Sequence, residues 1–194
     1  MATWGNIAPV GALPPGRDVE IPGRGTAHVI DTGPESATAR PTVILLHALG
    51  CTAALTWYPV IDLLAAKGRV VAFDQRWHGR GIRSDRFTLE DCADDIVALA
   101  DVLELDRFVV VGYSMGSLVS QLAARAHPDR VAGMVLCAGT TAFKRTPRER
   151  IALETLNVYM NRLRPGAGPL PPAAADPDGR HREWALREFR STTP

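Results

Sequence analysis

The stretch Arg107–Arg130, RFVVVGYSMGSLVSQLAARAHPDR, changes character at its middle. Three valines, Val109 to Val111, lead into Gly112-Tyr113-Ser114-Met115-Gly116, and small, helix-favouring residues follow. An unbroken run of β-branched residues marks a strand buried on both faces, and Ser114 to Ala126 reads as a helix. A serine spaced between two glycines therefore stands where a strand turns into a helix. So tight a turn forces its central residue into an uncommon backbone conformation, at a cost of about 1–3 kcal/mol. The flanking glycines supply the room. The turn lifts the serine hydroxyl above the C-terminal edge of the sheet. It also sets the next backbone N–H at a helix N-terminus, where it stabilises a developing oxyanion. G-x-S-x-G alone is a common string; the strand before it and the helix after it make it a nucleophile elbow. The bland alternative is a Gly-Ser turn that closes a strand–helix unit without chemistry.

Outward from this point the chain alternates. Residues 18–23 and 26–31 are short alternating runs separated by Gly and Arg, as in a hairpin. TVILLHALG, Thr42–Gly50, is a continuous apolar strand. Thr52 to Lys67 places Leu55, Trp57, Val60, Ile61 and Leu64 at helical spacing, and Gly68 stands where that helix ends. RVVAFD, Arg69–Asp74, is the next strand, and a polar loop follows. Thr88 reads as an N-cap with an acidic capping partner, opening a helix through Leu103 with Ile96, Leu99 and Leu103 on its apolar stripe. Val131–Gly139 is a further strand. Strands alternating with helices of this length imply right-handed βαβ crossovers and a mostly parallel sheet covered on both faces.

After Gly139 the pattern stops. Thr146-Pro147 opens an amphipathic helix carrying Ile151, Leu153, Leu156, Met160 and Leu163. A Pro/Gly/Ala linker and a second short helix, HREWALREFR, follow. The division implied is a core over 1–140 and a helical segment over 141–194. The charge also breaks there: the first part is net acidic, the second net basic, and the whole 194-residue chain carries +1.

That balance argues against nucleic-acid and membrane-surface binding. No stretch approaches ~18 uninterrupted apolar residues, so no membrane span is expected. The N-terminus lacks a basic start and a long apolar core, so no secretory signal is read there. Cys51, Cys92 and Cys137 are odd in number and share no metal-ligand spacing. They suit small core residues in a reducing cytoplasm, and no cofactor or metal is implied.

Four landmarks in order resemble the α/β-hydrolase fold family: VILLHALG its oxyanion loop, VVAFDQRWHGRG its D-x-R-x-H-G loop, VVVGYSMGS its nucleophile elbow, and AHPDRVAGMVLCAG its helix-to-strand passage. The resemblance runs from about Arg17 to Arg190. It implies an α/β fold, a mostly parallel doubly wound sheet of the α/β-hydrolase type, with residues 141–194 as a C-terminal helical cap. Ser114 matches the nucleophile. Met115 and Leu49 match the residues whose backbone N–H groups bind the oxyanion, although the family's His-Gly pair reads His47-Ala48 here. Relatives that open epoxides or displace halides carry aspartate at the elbow; serine points instead to acyl transfer through an acyl-enzyme. A small or medium apolar carboxylic ester is the expected substrate. Leu156, Tyr159, Met160 and Trp184 would line the acyl pocket, unless they only form the cap's own core.

A serine nucleophile needs a base oriented by a third group, in the family order Ser, acid, His. Downstream of Ser114 stand only His127, in a helix-to-strand corner, and His181, in the cap segment. Upstream, His47 and His78 belong to loop motifs and suit bracing, His28 lies on an early strand, and Asp74 matches the family's structural aspartate. By resemblance two strand–helix units, together roughly 60 residues at ~30 each, and both remaining triad members are absent. The last strands are then missing as well. Three readings follow: a serine esterase cut short and impaired, a non-catalytic interaction module that keeps the fold, or an acyltransferase. The strand at 131–138 would be left as an apolar edge with neither Lys nor Pro to block pairing, which favours self-association.

Overall fold

The computed structural model describes residues 13–34 and 40–139. Within them run β1 (Gly16–Ile21), β2 (Gly25–Asp31), β3 (Thr42–Leu46), α1 (Ala53–Trp57), α2 (Ile61–Ala65), β4 (Val70–Phe73), α3 (Leu89–Val102), β5 (Phe108–Tyr113), α4 (Met115–Ala126) and β6 (Val131–Cys137). The sheet has the order β1-β2-β4-β3-β5-β6. The hairpin β1–β2 is antiparallel and joins β4 antiparallel, whereas β4, β3, β5 and β6 are parallel to one another. Among the described residues no strand pairs with the outer side of β6, and no helix is long and apolar enough to cross a membrane.

The apolar runs behave as continuous hydrophobic strands should, feeding two cores by alternation. Ile44 and Leu46 of β3, Val71 and Phe73 of β4, and Phe108 and Val110 of β5 point to one face. There they meet Ile96 and Leu99 of α3 and Val119 and Ala123 of α4. Leu45, Val70 and Ala72 point to the other, against Ala53 and Trp57 of α1 and Ile61 of α2. A one-residue slip of β3 would exchange its two faces, so packing fixes the register.

The helix expected across Thr52 to Lys67 forms as two short pieces. Pro59 lies in the gap; it has no N–H to donate, and its ring opposes an unbroken helix. Thr52 caps the first piece by accepting from the Leu55 N–H at 3.0 Å. The Thr88 cap forms as read, its Oγ1 accepting from the Asp91 N–H and donating to the Asp91 carboxylate. The segment 141–194 lies outside the described residues.

Candidate active site

β5 and β3 are neighbouring parallel strands with Leu46 opposite Gly112, so the loops after them leave from the same edge of the sheet. After Gly112 the chain turns within two residues into α4. A Cβ on Gly112 would lie 2.1 Å from the Gly116 carbonyl oxygen, and one on Gly116 2.2 Å from the Leu46 carbonyl oxygen. Backbone occupies both spaces, so only glycine allows α4 to start this close to β5 and β3.

Ser114 sits at the bend with φ 50° and ψ −110°. That region is sparsely populated for a residue with a Cβ and costs on the order of 1–3 kcal/mol. Its backbone is held on both sides. The Ser114 N–H donates to the Cys137 carbonyl at the end of β6, at 2.9 Å. Its carbonyl accepts from the Ser117 N–H at 3.0 Å and from the Ser117 hydroxyl at 2.6 Å. Ser114 itself is exposed, and Met115 beside it is buried. Met115 opens α4, where the first N–H groups have no partner inside the helix.

On the β3 side the chain makes a turn from Ala48 to Cys51, closed by a Cys51 N–H to Ala48 carbonyl bond of 3.2 Å. Gly50 takes the left-handed position of that turn at φ 68°. Leu49, half-buried, packs on the core that α4 covers.

The two loop histidines brace this edge. His47 is buried; its Nδ1–H donates to the Ala48 carbonyl at 2.8 Å, and its Nε2 accepts from the Gln75 N–H at 2.8 Å. Gln75 returns the contact, its side-chain amide donating to the His47 carbonyl at 2.9 Å. His78 is equally buried and donates from Nδ1 to the Arg76 carbonyl at 2.8 Å, with its ring centroid 5.1 Å from that of His47. Burial pushes His47 down to about 4 and, with His47 alongside, His78 down to about 3. Both imidazoles are neutral near pH 7. Asp74 is buried and accepts from the Ala53 N–H at 2.8 Å and the Arg80 N–H at 2.9 Å, tying α1 to the loop after β4. Burial raises its pKa.

The remaining histidines within the described residues are engaged elsewhere. His28 faces Asp18 across the hairpin at 2.7 Å, and His127 faces Asp94 at 2.9 Å. His181 lies outside the described residues. The structure thus brings Leu49, Ser114 and Met115 to one edge and gives His47, His78 and Asp74 scaffold contacts.

Several residues that shape this edge are singled out by no pattern in the sequence. Ser117, the last residue of the elbow string, is one. Another is the buried carboxylate of Asp95, which receives the Arg76 guanidinium through bonds of 2.9 and 2.8 Å and also pairs with Arg24. That cluster anchors the loop after β4 and the β1–β2 turn to α3. Its members lie up to 71 residues apart, so no local spacing announces it.

The comparisons with known proteins agree with this architecture. Over 117 residues the chain is 38% identical to a Caulobacter sp. (strain K31) protein bearing the name carbamate hydrolase RutD, a match covering 59% of this chain and 42% of that one. Epoxide hydrolase B of Mycobacterium tuberculosis is 34% identical over 117 residues, covering 58% of this chain and 32% of that one. The crystal structure of epoxide hydrolase A from Mycobacterium thermoresistibile superposes with a TM-score of 0.61 at 26% identity, covering 74% of this chain and 44% of that one. The matched part of the chain thus spans less than half the length of each of these relatives. The model of the alpha/beta hydrolase fold matches residues 41–185, most of the chain. With strand order, elbow and sequence in agreement, the chain belongs to the α/β-hydrolase fold family.

Proposed function

We propose that the protein is a serine hydrolase acting on carboxylic esters through an acyl-enzyme on Ser114. The observation that carries this reading is the strained, exposed serine at the first turn of α4, with its own N–H and carbonyl both tied down. Strain of this kind persists where its surroundings hold it in place, and it is common at reacting groups. In the reaction Ser114 Oγ attacks the ester carbonyl carbon and the C=O π pair moves onto oxygen. The N–H groups of Met115 and Leu49 hold that oxyanion. Collapse expels the alcohol, and water later releases the acid. A carbamate, the substrate class in the name of the Caulobacter relative, presents a carbonyl open to the same attack.

The proton leaving Ser114 needs a base, and no described histidine suits the task. His47 uses both ring nitrogens on backbone groups, His78 is buried and hard to protonate, and His28 and His127 face other carboxylates. We propose that neither the base nor its orienting acid stands among these 194 residues, and that residues 141–194 form the cap over the site. The free cysteines suit a reducing cytoplasm.

The test is turnover of short p-nitrophenyl esters. The 194-residue chain and its Ser114→Ala variant are expected to differ little, at no more than the ~10³–10⁴-fold over water that oxyanion binding alone supplies. Robust turnover lost in Ser114→Ala would keep the nucleophile but overturn the impairment, returning the search to His47, His78 or His181. Where the gene encodes residues beyond codon 194, the longer product should hydrolyse these esters and lose that activity in Ser114→Ala. A folded longer product without such activity would overturn the ester reading.

A further inference from the structure

The Ser114 carbonyl and the Met115 N–H belong to one peptide unit. That unit is planar and trans, so the two groups point in opposite directions and turn together. Whatever fixes the carbonyl therefore aims the N–H. Two donors from a single residue fix it: the Ser117 N–H at 3.0 Å and the Ser117 hydroxyl at 2.6 Å. A hydrogen bond accepted at a carbonyl also polarises the peptide and strengthens the donor at its other end, by ~10–30% per bond.

The surroundings leave Ser117 little freedom. The residue is fully buried. A Cβ on Gly139 would lie 2.3 Å from its Oγ and 2.7 Å from its Cβ, and one on Gly112 would lie 2.5 Å from its N. Ser117 is thus wedged between the end of β5, the elbow and the segment leaving β6. A serine that bonds back to an earlier carbonyl in its own helix is otherwise a minor local feature. Here the carbonyl it reaches is the one whose partner N–H opens the helix beneath the exposed serine.

We propose that Ser117 is a positioning residue, whose hydroxyl aims and polarises the Met115 N–H as an oxyanion donor. The proposal rests on the reading of Ser114 as nucleophile, and its test separates the two. In the 194-residue chain, the ¹⁵N resonance of the Met115 amide reads the bond at the carbonyl before it. Ser117→Ala should move that resonance upfield by more than any other α4 amide beyond residue 118. Gly139→Ala, whose methyl would lie 2.3 Å from the Ser117 Oγ, is expected to displace that hydroxyl and move the resonance the same way while Ser117 itself is unchanged. Where wild-type Ser114 reacts with a serine-directed phosphonate, both variants should label about three- to tenfold more slowly. That is a smaller loss than the ~10²–10³-fold for deleting a whole oxyanion donor. A Met115 resonance unmoved in the folded variants, or unchanged labelling, would overturn the proposal and leave Ser117 as packing alone. If the wild-type serine never labels even in a folded product carrying any residues its gene encodes beyond codon 194, the nucleophile reading fails while the Met115 resonance still decides whether Ser117 sets that peptide.

Discussion

At Ser114 the backbone conformation and the proposed chemistry compete. A φ of 50° with ψ of −110° suits glycine far better than serine. Ser114→Gly should therefore raise the unfolding free energy by about 1 kcal/mol, the relief of strain partly offset by the greater freedom of glycine in the unfolded chain. Urea unfolding checks this, and a loss of stability would show that the conformation is not strained. Gly116→Ala should act the other way. Its methyl would lie 2.2 Å from the Leu46 carbonyl oxygen, backbone that cannot rotate aside, so a loss of about 1–3 kcal/mol is expected. The elbow was legible because its signal is local: two glycines, a serine, a strand before and a helix after. Ser117 was not, because what distinguishes it is the loop after β6 packed against its hydroxyl.

Among the elements, the buried strands were the most legible, since apolar runs sandwiched between helices allow few other readings. The helix expected over 52–67 forms as two pieces because its apolar spacing runs straight through Pro59, whose missing N–H outweighs the periodicity. β6 poses the opposite case. Met134 and Val135 are 48% and 50% exposed, and no described strand pairs with its outer side. An apolar edge without Lys or Pro is a template for pairing with another chain. Self-association through β6 is therefore expected, and Val135→Lys should reduce it in sedimentation. A wild-type chain that sediments as a single monomeric species would contradict this. A lysine variant that unfolds would show instead that the edge is covered.

For the whole molecule, the neutral histidine pair at the heart of the site loop sets an acid limit. His47 and His78 titrate at about 4 and about 3 in the fold, well below the ~6.5 of an unfolded histidine. Below pH ~6.5 the unfolded chain binds more protons, so stability is full above that pH and falls as pH drops towards 4. Each imidazole contributes about 1.4 kcal/mol per pH unit, and the raised Asp74 offsets part of this. A loss of roughly 2–4 kcal/mol between pH 7 and pH 5 is expected from urea unfolding at the two pH values; a flat profile would mean that the pair is not held neutral. Fold and elbow were readable because they rest on runs of adjacent residues. The Arg24–Asp95–Arg76 cluster around the buried Asp95 was not, because it exists only once the hairpin, the loop after β4 and α3 have met. The most direct measurement of the central claim is covalent: treat the protein, with any residues its gene encodes beyond codon 194, with a serine-directed phosphonate and map the adduct by peptide mass spectrometry. The account predicts one adduct, on Ser114, absent from Ser114→Ala. An adduct on another residue, or none on a well-folded protein, would contradict it.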